Sequence, residues 1–199
     1  MAISCSNCGR QYDVTLFQFG KTINCACGER VGLENRIVLP VNVELRFFAD
    51  VMLHRLVRWL RALGIDAVWE DAIADSELVR RSLAEHRWIL TLDKRLPQEW
   101  RVGNVLLLES EKPLEQLREV AQRFNLKTTD RIFKRCLVCN AELRAARDEE
   151  IAALEVPENV RAAQVDLKFC PTCRKIYWNG SHTERMKKAL EKVVNRETG

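Results

Sequence analysis

Between residues 43 and 124 short apolar runs alternate with longer stretches of helical periodicity. Val43–Ala49 (Val-Glu-Leu-Arg-Phe-Phe-Ala) reads as a strand that ends at Asp50. Met52–Leu63 follows with Leu53, Leu56, Val57, Leu60 and Leu63 at helical spacing, and Gly64 suits its C-terminal cap. Ile65–Trp69 is a second short strand. Asp75 or Ser76 opens a helix running to about His86. Trp88–Leu92 is a third strand, ending at Asp93, and Asn104–Glu109 a fourth. Pro113 sits in the first turn of a helix that runs to about Phe124. Strands alternating with helices predict an α/β fold, with a mostly parallel sheet flanked by helices.

In such sheets the functional crevice lies at the carboxyl ends of the strands. Asp50 and Asp93 each follow an apolar strand, and Asp75 opens the intervening helix from the same edge. Three carboxylates are therefore expected to converge. Converging carboxylates repel one another unless a cation sits between them, and hard oxygen ligands suit Mg²⁺ or Mn²⁺. Such an ion activates water and neutralises charge on a phosphodiester. Structural readings stand beside this: Asp75 as a helix cap, and Asp93 as a turn residue before Lys94 and Arg95. Glu70, Asp71 and Glu77 are near enough in sequence to join or replace Asp75. On the first helix Arg55, Arg58 and Arg61 recur every three residues, either as a solvated face or as a ridge for a nucleic-acid backbone. Arg58 and Arg61 lie between apolar positions, which favours a fixed role.

The eight cysteines change the picture at both ends of the chain. They fall in four pairs, Cys5/Cys8, Cys25/Cys27, Cys136/Cys139 and Cys170/Cys173. Disulfides or a thioredoxin-like redox pair do not account for four pairs with no cysteine left over. Two closed four-thiolate shells do, which predicts two structural Zn²⁺ sites, one from the first four cysteines and one from the last four. Gln11–Ile23, with Tyr12, Val14, Leu16, Phe17 and Phe19, reads as a hairpin around Gly20 between the first two pairs. The expected organisation is an N-terminal zinc ribbon (1–33), a linker (34–44), an α/β core (45–128), and a C-terminal zinc ribbon with a closing helix (129–199).

Apolar residues make up 47% of the 199 and charged residues 30%, which is globular composition. The net charge of +4 permits a nucleic-acid partner without demanding one. No secretory signal and no bilayer-length apolar run is visible, so a cytoplasmic protein without a membrane partner is expected. Aromatics interleaved with basic residues after Cys173 (Lys175, Tyr177, Trp178, His182, Arg185) suit single-stranded RNA, or else Tyr177 and Trp178 pack the ribbon. The acidic run Asp148–Val160 reads as an exposed excursion between the cysteine pairs.

Several motifs together carry a resemblance. They are Phe48-Ala49-Asp50-(x)-Met52-Leu53, Arg58-Trp59-Leu60-Arg61-(x2)-Gly64-(x)-Asp66, Asp75-(x2)-Leu78, and Ile89-Leu90-Thr91-(x)-Asp93-(x)-Arg95-Leu96. With them come Arg135-Cys136-(x2)-Cys139-Asn140 and Cys170-Pro171-(x)-Cys173-(x3)-Tyr177-Trp178-(x)-Gly180-Ser181-His182. Over residues 45–188 the chain resembles the PIN-like RNase superfamily, in the family named after the C-terminal RNase domain of mutator-type exonucleases. The resemblance implies a metal-dependent ribonuclease with Asp50, Asp75 and Asp93 as metal-binding acids. RNA is then the partner, with tRNA or ribosome-associated RNA as examples, held by Arg55, Arg58, Arg61, Lys94, Arg95, Tyr177, Trp178 and His182. Leu92 stands where the family usually has a basic residue. The N-terminal ribbon lies outside the family core. The competing expectations are a non-catalytic RNA- or ribosome-binding protein that keeps the fold, and a zinc-ribbon adaptor for other proteins.

Overall fold

The computed structural model describes residues 2–32, 44–100, 102–128, 131–154, 156–158, 160 and 166–194. The connector expected at 34–44, apart from Glu44, and the strand start at Val43 lie outside these residues, as does the side chain of Phe19. The described strands are β1 (Ala2–Ser4), β2 (Gln11–Asp13), β3 (Ile23–Asn24), β4 (Arg30–Val31), β5 (Arg46–Ala49), β6 (Asp66–Trp69), β7 (Trp88–Thr91), β8 (Val105–Leu107), β9 (Arg144–Ala145), β10 (Lys168–Phe169) and β11 (Ile176–Tyr177). The helices are α1 (His54–Ala62), α2 (Asp75–Ala84), α3 (Leu96–Glu99), α4 (Pro113–Phe124), α5 (Asp148–Ala153) and α6 (Ser181–Val194). Two compact units result, Met1–Leu53 with Trp69–Glu109, and His54–Val68 with Ser110–Gly199. Each unit draws on two separate stretches of chain.

The main sheet has the strand order β6-β5-β7-β8 and is flanked by helices, as the alternating pattern predicts. β5 pairs β7 in parallel with Phe48 opposite Ile89, and β7 pairs β8 in parallel with Leu90 opposite Leu106. Phe47, Phe48, Ala49, Ile89 and Leu90 are wholly buried. This is why Phe47–Ala49 of β5 and Trp88–Leu90 of β7 read as apolar runs: a parallel strand covered on both faces has no polar side there. α2 lays Leu78 and Val79 against β5 and β7.

In the first unit the segment 11–23 departs from the expected hairpin. After β2 the chain turns into a 3₁₀ helix, Val14–Gly20. Asp13 starts it, its Oδ1 accepting from the Thr15 amide at 2.8 Å and the Thr15 hydroxyl at 2.7 Å. A short polar side chain that satisfies the following amide and hydroxyl stabilises a turn over an extended strand. The two hairpins that do form are β1–β2 and β3–β4, and each carries one cysteine pair at its turn. Phe17, wholly buried, packs with Cys5, Cys25 and Val31 as the small core of this region.

In the second unit α4 packs against α1 and α6. Leu56, Val57 and Leu60 of α1, Leu117 and Val120 of α4, and Leu190 of α6 are buried. Each such side chain contributes about 1.5–3 kcal/mol against exposure. α1 ends as Gly64 predicts: at φ +84° its amide bonds the Arg61 carbonyl, and the Ile65 amide bonds that of Leu60. That pair of bonds closes the last turn as a Schellman cap. A small antiparallel sheet, β11-β10-β9, completes the unit. The acidic run expected as an exposed excursion forms α5 over its first residues, with Glu150 bonded to both Arg144 and Arg147.

Candidate active site and metal centres

Asp50 follows β5, where its amide still bonds the Leu90 carbonyl of β7 at 2.9 Å. The carboxylate is only 8% exposed and is held at both oxygens. Oδ1 accepts from the Val51 amide at 2.7 Å, and Oδ2 accepts from the Thr91 hydroxyl at 2.7 Å. The Thr91 Oγ1 in turn accepts from the Asp93 amide at 2.9 Å. One buried threonine thus ties the ends of β5 and β7 together. Asp93 accepts from the Arg95 amide at 2.8 Å and from the Arg95 guanidinium at 3.3 Å, and these bonds hold its pKa below the usual carboxylate range.

Asp75 is the first residue of α2, not its cap: Ala74 takes that position and no side chain caps the helix. The Asp75 carboxyl is thereby left for other work. Although the residue is exposed at the surface, partial desolvation pushes its pKa up, followed by the charges of Asp50, Asp93 and Glu99; Arg95 opposes them. Asp75 therefore lies within electrostatic reach of Asp50, Asp93 and Glu99. The other acids near Asp75 in sequence are engaged: Glu70 pairs with Arg81, and Glu77 with Arg80 at 2.5 Å. Asp71 is exposed. The carboxylates are not drawn together as tightly as the thiols. Among the described residues, only the two cysteine sets bring three or more ligand atoms within 4.8 Å of one another.

Each cysteine set has the donor geometry of a zinc centre. Cys5, Cys8, Cys25 and Cys27 form one group, and Cys136, Cys139, Cys170 and Cys173 the other. Sulfur separations are 3.6 Å for Cys5–Cys27, 3.4 Å for Cys8–Cys25, 3.5 Å for Cys136–Cys173 and 3.3 Å for Cys139–Cys170. A thiolate tetrahedron with Zn–S of about 2.3 Å has edges of about 3.8 Å, so the shells fit with slight expansion. The residue after each pair adopts a positive φ: Gly9, Gly28, Asn140 and Arg174. That residue's amide returns to the carbonyl of the first cysteine, as Gly9 to Cys5, Gly28 to Cys25, Asn140 to Cys136 and Arg174 to Cys170. The Cys25/Cys27 turn makes the same closure one residue shorter.

A tyrosine recurs at both centres. In Cys5-Ser-Asn-Cys8-Gly-Arg-Gln-Tyr12 and Cys170-Pro-Thr-Cys173-Arg-Lys-Ile-Tyr177 it stands four residues after the second cysteine. The Tyr177 hydroxyl lies 3.0 Å from the Cys136 sulfur, and Tyr12 hydrogen-bonds Cys25. In each case the partner is the first cysteine of the opposite pair. An O–H donor to a metal thiolate disperses its charge and orients it.

The basic residues divide by environment. Arg55, Arg58, Lys94 and His182 are exposed. Arg95 is 79% exposed and paired with Asp93. Arg61 is 6% exposed, and its guanidinium donates to the Ala67 carbonyl at 2.8 Å and the Val138 carbonyl at 2.6 Å. It anchors α1 to β6 and to the Cys136/Cys139 turn, so an RNA contact from Arg61 is not carried forward. Burial lowers its pKa, while the Cys136 and Cys139 thiolates oppose that shift. A zinc ion held by four thiolates would be a net dianion, and Arg61 would supply a cation beside it. Asn140 adds a second tie, donating to Asp66 at 2.7 Å and accepting from the Ala67 amide at 3.2 Å.

Sequence reasoning missed two members of the acidic region. Thr91 was legible only inside the strand Trp88–Leu92 and as a motif position; its place two residues before Asp93 is the signal for its bridging role. Glu99 depends on α3, which pattern reading passed over, although Pro97 in the first turn is a helix-start signal.

A parallel α/β sheet with acids at its carboxyl edge, in a chain that carries four-cysteine clusters fit for zinc, is the class of a nuclease-type domain with zinc ribbons. The family model of the Mut7-C RNAse domain matches residues 45–190, most of the chain. The chain belongs to that family. No curated protein and no solved structure matches it. The four N-terminal cysteines lie outside the matched residues, and their cluster fits a zinc ribbon. No described helix is long and apolar enough to cross a membrane.

Proposed function

We propose that the chain is a Mg²⁺- or Mn²⁺-dependent endoribonuclease of PIN type, in which Asp50, Asp75 and Asp93 form the catalytic acidic site. Residues 45–128 supply the nuclease core, 129–199 the C-terminal ribbon and closing helix, and 1–33 a second ribbon. Both ribbons hold Zn²⁺ for structure and position RNA. The observation that carries this reading is the junction of β5 and β7 in a Mut7-C RNAse domain sheet, where Thr91 ties Asp50 to the Asp93 backbone and Asp75 opens α2 without capping it.

A bound Mg²⁺ or Mn²⁺ supplies charge neutralisation at the scissile phosphate and a more acidic water. The chain's own part is to fix the acids. Asp50, bonded at both oxygens, presents its remaining lone pairs in a set direction. Asp93, held by Arg95, stays ionised. Asp75 takes up a proton more readily than Asp93. The wider spacing of the carboxylates than of the thiols suits an ion that keeps several waters. Lys94, exposed beside Asp93, is placed to steady a phosphate.

Purified protein incubated with total cellular RNA and Mn²⁺ is expected to cleave it. The Asp93→Asn variant, folded and with both zinc ions retained, is expected to lose at least about 100-fold in rate, the scale of a lost charge-stabilising group. Full activity in that variant would sink the proposal. Salt-sensitive RNA binding with no turnover in either metal would favour a non-catalytic RNA-binding role, which the loose acid spacing also fits.

A further inference from the structure

The second unit holds two adjoining cavities that no part of the acidic site uses. The first has a volume of about 270 Å³ and is floored by apolar side chains, among them Phe133, Leu137, Val138, Leu143 and Met186. Val138, inside the Cys136–Cys139 turn, lines this cavity and is 57% exposed. Tyr177 and Trp178, from β11 and the residue after it, form an aromatic wall. Asn179 and Asp166 bring the polar groups. The second cavity, of about 450 Å³ and more open, lies along α1 and α6 with Arg55, Trp59 and Arg185. Arg58, His182 and Met186 line both, and so stand between them.

The rim is cationic. Arg55 and Arg58, one helical turn apart on α1, are exposed, as are Lys175, His182 and Arg185. Asp166 is the acid of the first cavity. An apolar cavity with an aromatic wall accepts a flat ring, and a partition carrying Arg58 and His182 accepts an anion. Flat rings linked through a phosphate are successive nucleotides of a single strand. A duplex offers stacked, paired bases that do not enter such a cavity.

We infer that these cavities bind two consecutive nucleotides of single-stranded RNA, one base in the Val138–Trp178 cavity, the next against Trp59, with the intervening phosphate between Arg58 and His182. The choice of RNA rests on the ribonuclease reading; the single-strand preference rests on the cavities.

The test is fluorescence anisotropy with a labelled single-stranded oligoribonucleotide, measured on full-length zinc-loaded protein carrying Asp93→Asn so that no cleavage intervenes. Val138→Trp plugs the first cavity from an exposed position. It is expected to weaken binding about tenfold, the size of one lost stacked base, with two zinc ions retained and an unchanged circular dichroism spectrum. Arg58→Ala is expected to weaken binding and to lower the slope of log affinity against log salt by about one. Parent-like binding by both Val138→Trp and Arg58→Ala would overturn the inference. So would equal binding of the same strand in a duplex, or displacement by a free mononucleotide as effective as by the oligomer. Absence of any RNA binding by the parent would also overturn it, and would point the cavity toward a peptide. Cleavage with the native acids separates the two proposals. Cleavage that pocket variants leave untouched sinks this inference alone, whereas pocket-dependent binding without cleavage by the native protein sinks the nuclease reading alone.

Discussion

Asp75 is the residue whose environment works hardest against its charge. Desolvation and the neighbouring carboxylates of Asp50 and Asp93 raise its pKa in the fold. A carboxyl raised in this way contributes stability below its unfolded pKa and loses that contribution as pH rises through the folded value. At neutral pH the contribution is gone and the ionised group strains the fold. Asp75→Asn is therefore expected to raise the Tm of protein freed of Mg²⁺ and Mn²⁺ at neutral pH. The gain should be about 1–2 °C, because the residue is exposed to solvent, and it should shrink as pH falls into the carboxyl range. The same variant should lose the Tm increase that Mn²⁺ gives the parent, since binding to the folded state alone stabilises it. Thermal melts across pH with and without Mn²⁺ check both. A variant that melts with the parent at neutral pH would contradict the charge crowding at Asp75.

At the scale of elements, the sequence was most legible where one physical rule acted alone. α4 begins at Pro113 and ends at Phe124, both readable from capping and periodicity. β5 and β7 were readable from the apolar stretches Phe47–Ala49 and Trp88–Leu90, because burial on both faces leaves no alternation there to misread. The 3₁₀ helix Val14–Gly20 was not, since Asp13 and Thr15 settle that turn through a local bond that apolar spacing does not reveal. The end of α1 shows a rule that was read but not weighed. Gly64 was expected as a cap for its φ, and its lack of a side chain turns out to matter as much. A Cβ there would stand 2.2 Å from the Arg131 carbonyl oxygen, a backbone atom that cannot swing aside. The positive φ adds its own penalty for any L side chain. Gly64→Ala is thus expected to destabilise the protein by about 3 kcal/mol or more, read as a fall in urea midpoint. A loss under about 1 kcal/mol would mean that the 131–135 segment yields, and that the tie from Arg135 to the Gly64 carbonyl is dispensable.

At the scale of the molecule, the eight cysteines announced both four-thiol clusters and their pairing, because ligand spacing is a local property. The proposed acidic site was legible in Asp50, Asp75 and Asp93, whereas the approach of Glu99 to Asp75 comes through a fold that no local pattern encodes. The same long-range fold changes the standing of the N-terminal ribbon. Spacing and family limits present it as an appendage, yet it belongs to the compact unit that carries the acids. Thr22, 8% exposed, donates its amide to the Glu99 carbonyl at 2.6 Å. Its hydroxyl lies 3.1 Å from the Gln98 carbonyl and 3.0 Å from that of Glu99. Lys21 bridges Trp100 as a β-pair and sets its ammonium 5.7 Å from the indole. The ribbon thereby braces α3, whose last residue acts on Asp75. Thr22→Val keeps the shape and removes the hydroxyl, at a cost of about 1–2 kcal/mol. If the brace sets the acids, Mn²⁺ affinity should fall about 3- to 10-fold by titration, while metal analysis still finds two zinc ions per chain. Unchanged Mn²⁺ affinity in a destabilised variant would confine the ribbon to a stabilising role, because a brace that matters to the site must be felt at the site.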